Sequence, residues 1–151
     1  MIAIGCDDAA VDLKECLKKH LTMKGISYID YNDAGIQDEL YPDTARRVAE
    51  SVSQGKHKRG IILCGTGIGV SIVANKVPGI RAALCHDTFS AERARKSNDA
   101  QIITMGARVI GQELAKTILD TWLNSNFVDG PSTPKVNRIK EIEKEYLTET
   151  L

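Results

Sequence analysis

Short apolar runs alternate along the chain with segments in which apolar residues return every three or four positions. The runs are "MIAIG" at 1–5, "ISYIDY" at 26–31, "GIILC" at 60–64, "IRAALC" at 80–85 and "QIITM" at 101–105. Each is followed by a segment with the spacing of an amphipathic helix, and Gly25 and Gly55 stand where the first two of these segments end. The pattern predicts five strand–helix units in succession.

This order of elements predicts the α/β class, with a single Rossmann-like (flavodoxin-like) doubly wound sheet of five parallel strands and an extra C-terminal helix. The run "GIILC" lacks alternation between apolar and polar residues, as expected for a strand that helices cover on both faces. In such a fold we expect the ligand at the carboxyl ends of the strands.

The last part of the chain differs from the strand–helix units. Residues 1–128 form the predicted Rossmann-like domain, and 129–151 begin with a joint rich in Gly, Pro and Ser and continue as a charged helix. Val136, Ile139 and Ile142 give that helix a thin apolar stripe with a spacing of three. We expect this stripe to pack on a partner subunit.

Composition narrows the classes of partner. The 151 residues are 42% hydrophobic, which suits one domain, and 20 Lys plus Arg balance 20 Asp plus Glu. The protein has no net positive charge that would attract it to nucleic acid or to an anionic membrane. No run approaches the ~18 apolar residues of a membrane span. The acidic start does not resemble a secretory signal, and the four cysteines show neither C-x-x-C spacing nor a metal cluster. We expect a cytoplasmic protein with reduced thiols, a small-molecule partner and no metal.

The stretch "CGTGIGVSIVANK" at 64–76 carries the most specific chemistry. Gly65, Gly67 and Gly69 allow a tight loop whose N–H groups converge on one point, and the following helix adds the positive end of its dipole. A Walker loop would end in Gly-Lys-Ser/Thr, and a dinucleotide loop would show G-x-G-x-x-G after the first strand. Neither pattern is present, so the loop predicts another kind of phosphate or oxyanion site.

Cys64 precedes this loop at the end of a buried strand, next to a helix amino terminus that favours the thiolate. The thiolate could act as a nucleophile or as a base, and the alternative is a small buried apolar residue. Thr66 adds a hydroxyl two residues further on. A base, a hydroxyl and converging amides suit proton abstraction beside a carbonyl. Acyl transfer fits less well, because the motif holds no histidine to orient the sulfur.

These residues resemble a known family. "CGTGIGVSIVANKVPGIRAAL" and "SNDAQIITMGARVIG" are similar to the ribose-5-phosphate isomerase B and galactose-6-phosphate isomerase family, and the resemblance extends from "AIGCDDAA" to Trp122. It implies aldose–ketose isomerisation of a small phosphorylated sugar, with no metal or other cofactor. It also implies a homodimer or dimer of dimers with sites between subunits.

The resemblance implies roles for single residues. Cys64 would move a proton between C1 and C2 through a cis-enediolate, Thr66 would serve the substrate oxygens, and the amides of the three loop glycines would bind the oxyanion. The residues that fall at the family's substrate contacts are Asp7, Asp8, Tyr41 and Asn98 for the sugar and Arg108 for the phosphate. Structural alternatives stay open, namely a helix cap for Asp7, a core ring for Tyr41, and turn or surface positions for Asn98 and Arg108.

The chain departs from the family pattern at three places. Asp8 and Ser97 stand where the family often has histidines, and the second of these histidines opens the sugar ring in the ribose phosphate enzymes. The C-terminal "GGRH" is replaced by "DGPSTPKVNR", which leaves Lys135 and Arg138 as the candidate phosphate ligands. His86 is a candidate replacement for the ring-opening acid.

The missing histidine favours a substrate that needs no ring opening. A tetrose 4-phosphate cannot close a furanose ring, since its 4-oxygen carries the phosphate, and "HDTFSAERARKSNDAQIITMGARVIG" resembles the erythrulose-4-phosphate isomerases. We therefore expect D-erythrulose 4-phosphate, with ribose 5-phosphate as the alternative. A distant alternative is a non-catalytic receiver-like module, suggested by Asp7-Asp8. It would require aspartate at the position of Cys64 and lysine after the fifth strand, and neither is present.

Overall fold

Parallel strands form one sheet in the computed structural model, which describes residues 1–33 and 39–149. In this described part the sheet has five strands, which are β1 Ile2–Cys6, β2 Tyr28–Asp30, β3 Gly60–Cys64, β4 Ala82–Leu84 and β5 Ile102–Gly106. Their spatial order is β2-β1-β3-β5-β4. The predicted five-stranded parallel α/β fold is confirmed. The order differs from the flavodoxin order 2-1-3-4-5 in that β5 lies between β3 and β4.

Helices cover both faces of this sheet. They are α1 Val11–Met23, α2 Tyr41–Ser53, α3 Ile68–Asn75, α4 Thr88–Lys96, α5 Gln112–Leu123 and α6 Thr133–Glu149, and a single 3₁₀ turn at Asp8–Ala10 precedes α1. Buried side chains of α1, α4 and α5 share one core with Ile4, Leu63 and Met105, whereas those of α2 and α3 share the other with Ala3 and Cys64. The Cys64 side chain therefore faces the layer formed by α2 and α3.

The first two helices end as the glycine positions predict. Gly25 and Gly55 have φ of +69° and +77°, and the residues after them donate N–H bonds to carbonyls inside the preceding helix, from Ile26 to Leu21 and from Lys56 to Ser51. This left-handed stop turns the chain back toward the sheet at the end of each helix. Strands β2 and β3 therefore begin at the same edge of the sheet as β1 and run parallel to it.

Helix α6 contacts its own domain through Val136 and Glu143. Val136 is buried, and both carboxylate oxygens of Glu143 accept the N–H of Gly79 at 3.1 Å. Ile139, Ile142 and Leu147 of the same helix are exposed. The boundary at 128/129 and the contact of α6 with a partner subunit stay predictions.

Within residues 1–33 and 39–149, none of the helices has the length and apolar character needed to cross a membrane. The same part of the chain contains no group of three His, Cys, Asp or Glu side chains placed to hold a metal ion.

Candidate active site

A cleft of about 300 Å³ lies at the carboxyl ends of β1, β3 and β5. Its lining consists of Asp7, Asp8, Ala9, Tyr41, Cys64, Gly65, Thr66, Gly69 and Arg108. These residues come from the ends of three adjacent parallel strands and from the start of α2, and this edge is where α/β sheets bind ligands. The cleft brings together eight residues that the sequence analysis selected from four separate segments.

A larger cleft of about 470 Å³ lies beside it, between α1 and the end of β2. Asp30, one of its lining residues, is already paired, since it accepts from Lys14 at 3.1 Å and from Lys18 at 2.8 Å. Burial would raise the pKa of Asp30, but the bonds from Lys18, the Asn32 amide and Lys14 outweigh burial and lower it. This cleft carries a structural ion cluster, whereas the smaller one holds the Cys64 thiol, the Thr66 hydroxyl and the glycine loop.

The Cys64 thiol lies at the floor of the cleft and is 5% exposed. The Gly67 N–H donates to its sulfur at 3.0 Å, and Gly67 directly precedes α3, so this amide and the amino end of that helix both face the sulfur. These donors stabilise negative charge on sulfur. Burial raises the pKa of the Cys6 and Cys85 thiols to about 12.

The end of β5 holds the glycine loop in place. Ala107 and Arg108 donate N–H bonds to the carbonyls of Cys64 at 2.9 Å and Gly65 at 3.0 Å, and the buried Thr104 hydroxyl donates to the Gly67 carbonyl at 2.9 Å. A Cβ atom at Gly106 would lie 2.6 Å from the Thr66 carbonyl group. Only glycine permits that approach. Thr104 and Gly106 were not predicted as site residues, although a glycine closing the buried run "IITMG" is a signal of close backbone contact.

Tyr41 and Thr66 place hydroxyl groups at the cleft. A Cβ atom at Gly69 would lie 2.5 Å from the Tyr41 hydroxyl oxygen, so this ring rests on the first turn of α3. The Thr66 hydroxyl oxygen accepts the Ile68 N–H at 3.2 Å and keeps its own hydrogen for a ligand.

Asp7 and Arg108 bring opposite charges to the same cleft. The Asp7 carboxylate accepts the Ala9 N–H at 3.0 Å and so caps the 3₁₀ turn, while the residue also lines the cleft. Burial raises the pKa of Asp7, and the Ala9 bond and the Arg108 guanidinium partly oppose this. The Arg108 side chain passes about 3.5 Å from the point where a Gly65 Cβ would stand.

Gly67 and His86 do not line this cleft, and four further residues of interest also lie outside it. Ser97 and Asn98 precede β5, whereas Cys64 ends β3 and pairs with Gly106 at the far end of β5. The strand alone separates the two edges by about 13 Å. Asn98 donates to the Arg93 carbonyl at 3.0 Å. Lys135 and Arg138 lie on α6, where Arg138 pairs with Glu141 at 3.1 Å and Glu145 at 2.9 Å.

Two polar side chains extend the short edge strands. Strands β2 and β4 have three residues each, and their neighbours β1 and β5 have five. At the end of β1 the Asn32 side-chain oxygen accepts the Cys6 N–H at 2.7 Å, and at the end of β5 the His86 Nε2 accepts the Gly106 N–H at 2.9 Å. Each side chain replaces a carbonyl that a longer edge strand would supply. Asn32 was missed because nothing in the sequence shows where an edge strand stops.

Comparison with known proteins identifies the class. The chain is 58% identical over 139 residues, or 91% of each chain, to the D-erythrulose-4-phosphate isomerase of Pectobacterium atrosepticum. It is 52% identical over 143 residues to the Ribose-5-P isomerase B of Listeria innocua, covering 95% of this chain and 97% of the relative. The solved structure of Clostridium thermocellum Ribose-5-Phosphate Isomerase B superposes with a TM-score of 0.91 at 46% identity, covering 96% of this chain and 98% of that one. The protein is a sugar-phosphate isomerase.

The family itself is defined by a match over residues 2–141, which is described as Ribose/Galactose Isomerase. The chain belongs to this family, so the resemblance drawn from the glycine loop and the "SNDAQIITMGARVIG" segment is confirmed. The receiver-like alternative is excluded by the same match.

Proposed function

We propose that this isomerase acts on D-erythrulose 4-phosphate, with Cys64 as the base that moves a proton between C1 and C2. The observation that carries the proposal is the Cys64 sulfur, which lies in the cleft 3.0 Å from the Gly67 N–H and next to the open hydroxyl of Thr66. A general base must lie within reach of the proton that it removes, and none of the histidines in the described part of the chain lines this cleft.

In the proposed reaction the thiolate removes a proton from C1 of the ketose and returns it to C2, while a hydroxyl proton passes between the two oxygens. Negative charge develops on the carbonyl oxygen and is shared by the enediolate. The loop amides and the Thr66 hydroxyl stabilise that charge, because they are fixed before the substrate arrives. Arg108 attracts the phosphate. Atoms and electrons balance within the substrate, so the step needs no redox cofactor.

The four-carbon substrate is supported by the name of the Pectobacterium relative and by Ser97. Ser97 ends α4 and accepts from the Arg93 guanidinium at 3.3 Å, so its hydroxyl is engaged in the helix end. Ribose 5-phosphate is the second candidate, because the Listeria and Escherichia coli relatives are named for it. That sugar is mainly a closed ring, and its use requires an acid to open it.

We expect kcat/KM for D-erythrulose 4-phosphate to exceed that for ribose 5-phosphate by at least about tenfold, or 1.4 kcal/mol of transition-state stabilisation. Ser97→His should raise the ribose 5-phosphate value more than the tetrulose value, since the imidazole of a second copy of the chain, seated on the cleft, can assist ring opening. Ser97→Ala is the matched control, which removes the hydroxyl without adding an acid. A tenfold preference of the natural protein for ribose 5-phosphate would overturn the four-carbon assignment.

We also propose that two copies of the chain complete each site. Among the residues that the structure describes, Arg108 is the one Lys or Arg that lines the cleft, and a single positive charge neutralises only half of a phosphate dianion. Exposed apolar side chains surround the same edge, from Ile68 and Ile72 of α3 to Phe89 and Val109. A two-fold contact can seat Asn98, Lys135 and Arg138 of one copy on the cleft of the other, and such a contact would cover these apolar groups.

Subunit mixing tests this arrangement. Cys64→Ala and Asn98→Ala should each have low activity alone, whereas a co-refolded equal mixture should recover activity in about a quarter of its sites, because half of the dimers are mixed and each has one intact site. A mixture of Cys64→Ala with Cys64→Ser is the control and should recover none. Activity equal to the sum of the separate variants would show that Cys64 and Asn98 do not share a site across subunits.

A further inference from the structure

Gly106 has a buried amide that no strand can satisfy. Strand β4 ends at Leu84, opposite Thr104, and its last backbone bond to β5 runs from the Cys85 N–H to the Thr104 carbonyl at 3.1 Å. Two residues further along β5, the Gly106 N–H faces the side from which β4 has already turned into α4. An unpaired buried N–H is costly, and His86 Nε2 accepts it at 2.9 Å.

This bond determines where the imidazole carries its proton. An amide hydrogen needs a lone pair, so Nε2 is unprotonated and neutral His86 carries its hydrogen on Nδ1. If His86 takes up a second proton, a hydrogen on Nε2 meets the hydrogen of the Gly106 amide. Nε2 is therefore not a proton donor in this arrangement, which argues against the sequence-based idea that it replaces the ring-opening acid.

The glycine loop packs against Gly106. It pairs with Cys64 in the β3–β5 register, and the Thr66 backbone packs on its Cα. The next two amides along the chain hold the Cys64 and Gly65 carbonyls. A shift of Gly106 would move the thiol, the loop amides and Arg108 together.

We propose that His86 is a positioning residue: as the neutral Nδ1–H tautomer it anchors Gly106 and the glycine loop, and its protonation releases this anchor and lowers isomerase activity. The effect on activity rests on the proposed roles of Cys64 and the loop amides. The tautomer itself does not.

The charges around His86 determine the direction of the pH effect. Asp87, which caps α4, is the neighbouring charge; the facing strand Ile102–Gly106 and helix Ile68–Asn75 contain no ionisable side chain. Burial lowers the pKa of His86, and Asp87 opposes this only in part. The stabilisation by neutral His86 is therefore complete above the ordinary pKa of about 6.5 and is lost as pH falls from there toward the lowered value.

Nitrogen-15 NMR of the imidazole groups in the wild-type protein gives a direct test, with the His86 ring assigned through its own backbone. We expect an unprotonated Nε2 and a protonated Nδ1 at neutral pH, with the Gly106 amide resonance shifting as His86 titrates. A protonated Nε2 at neutral pH would overturn the proposal, whatever the substrate proves to be.

Activity variants test the consequence. His86→Gln places an oxygen acceptor the same number of bonds from the backbone as Nε2, and it cannot take up a proton. His86→Leu has no acceptor and should lower kcat by up to about 10²-fold with little change in KM, since the loop is displaced. His86→Gln should retain most activity and lose less of it than the wild type as pH falls below about 6.5.

His20→Gln is the matched control, because this histidine pairs with Asp120 between α1 and α5, away from the cleft. It should leave the pH profile unchanged. The positioning role would be overturned if the wild type and His86→Gln lost activity in the same way as pH falls. It would also be overturned if His86→Leu kept the wild-type kcat. Inactivity of every protein on both sugars, with the expected tautomer in the NMR spectrum, would count against the proposed substrates instead.

Discussion

Replacement of Cys64 by alanine is expected to lower kcat by about 10²–10⁴-fold, the usual effect of removing a general base. The fold should persist, because the side chain that is lost is small and the loop stays attached to β5 through the Cys64 and Gly65 carbonyls. Exchange of the substrate C–H with solvent deuterium, followed by NMR, should fall by the same factor. The free energy of unfolding and the affinity for inorganic phosphate should change little.

Two further variants separate the thiolate from simple packing. Cys64→Ser keeps the shape and can still accept the Gly67 N–H, but its hydroxyl is a far weaker acid than a thiol and should remain almost inactive. Cys16→Ala removes a half-buried thiol of α1 and should keep full activity. Near-native turnover by Cys64→Ala would rule out Cys64 as the base.

The strand–helix alternation predicted the elements of the fold because each element has its own local pattern. The run "GIILC" became β3, with all five residues buried, and Gly25 and Gly55 ended helices as expected. The position of β5 between β3 and β4 could not be predicted in the same way. All five runs are apolar, and nothing local states which of them pair.

The site was predictable only where its parts are close in sequence. Cys64, Thr66 and the three glycines are five of the six residues at 64–69, and their chemistry follows from the tight loop they form. Asn98, Lys135 and Arg138 depended on resemblance alone, and each lies outside the cleft of its own chain. The contribution of Thr104, Gly106 and His86 needed the actual neighbours of β5. Thr104 and Gly106 act on a loop far earlier in the chain, as the Thr104–Gly67 bond illustrates at a separation of 37, and His86 acts through Gly106 at a separation of 20.

Gly67 and Gly55 form a matched pair of glycines, of which only Gly67 lies at the candidate site. Both residues have left-handed backbones, with φ of +76° and +77°. A Cβ atom at Gly55 would meet nothing within 4 Å, whereas one at Gly67 would lie 2.6 Å from Leu84 and 2.8 Å from the Met105 carbonyl carbon. Gly55→Ala therefore measures the cost of the backbone conformation alone, about 1–2 kcal/mol in the free energy of unfolding, with activity unchanged.

Gly67→Ala should cost about 1–3 kcal/mol more than Gly55→Ala, because the added methyl presses on β5 backbone that cannot give way. It should also lower kcat by about 10²-fold or more. The Gly67 N–H would move away from the Cys64 sulfur, and the loop amides would no longer point at the same oxygen of the substrate. Urea unfolding and kcat of both variants, measured in parallel, test the two parts separately. Equal losses of stability would show that the loop can move away from β5, and wild-type kcat in Gly67→Ala would show that this amide does not serve the thiolate. If Gly67→Ala is fully folded in the assay and still has a lower kcat than the wild type, catalysis depends on the loop geometry that Thr104 and Gly106 maintain.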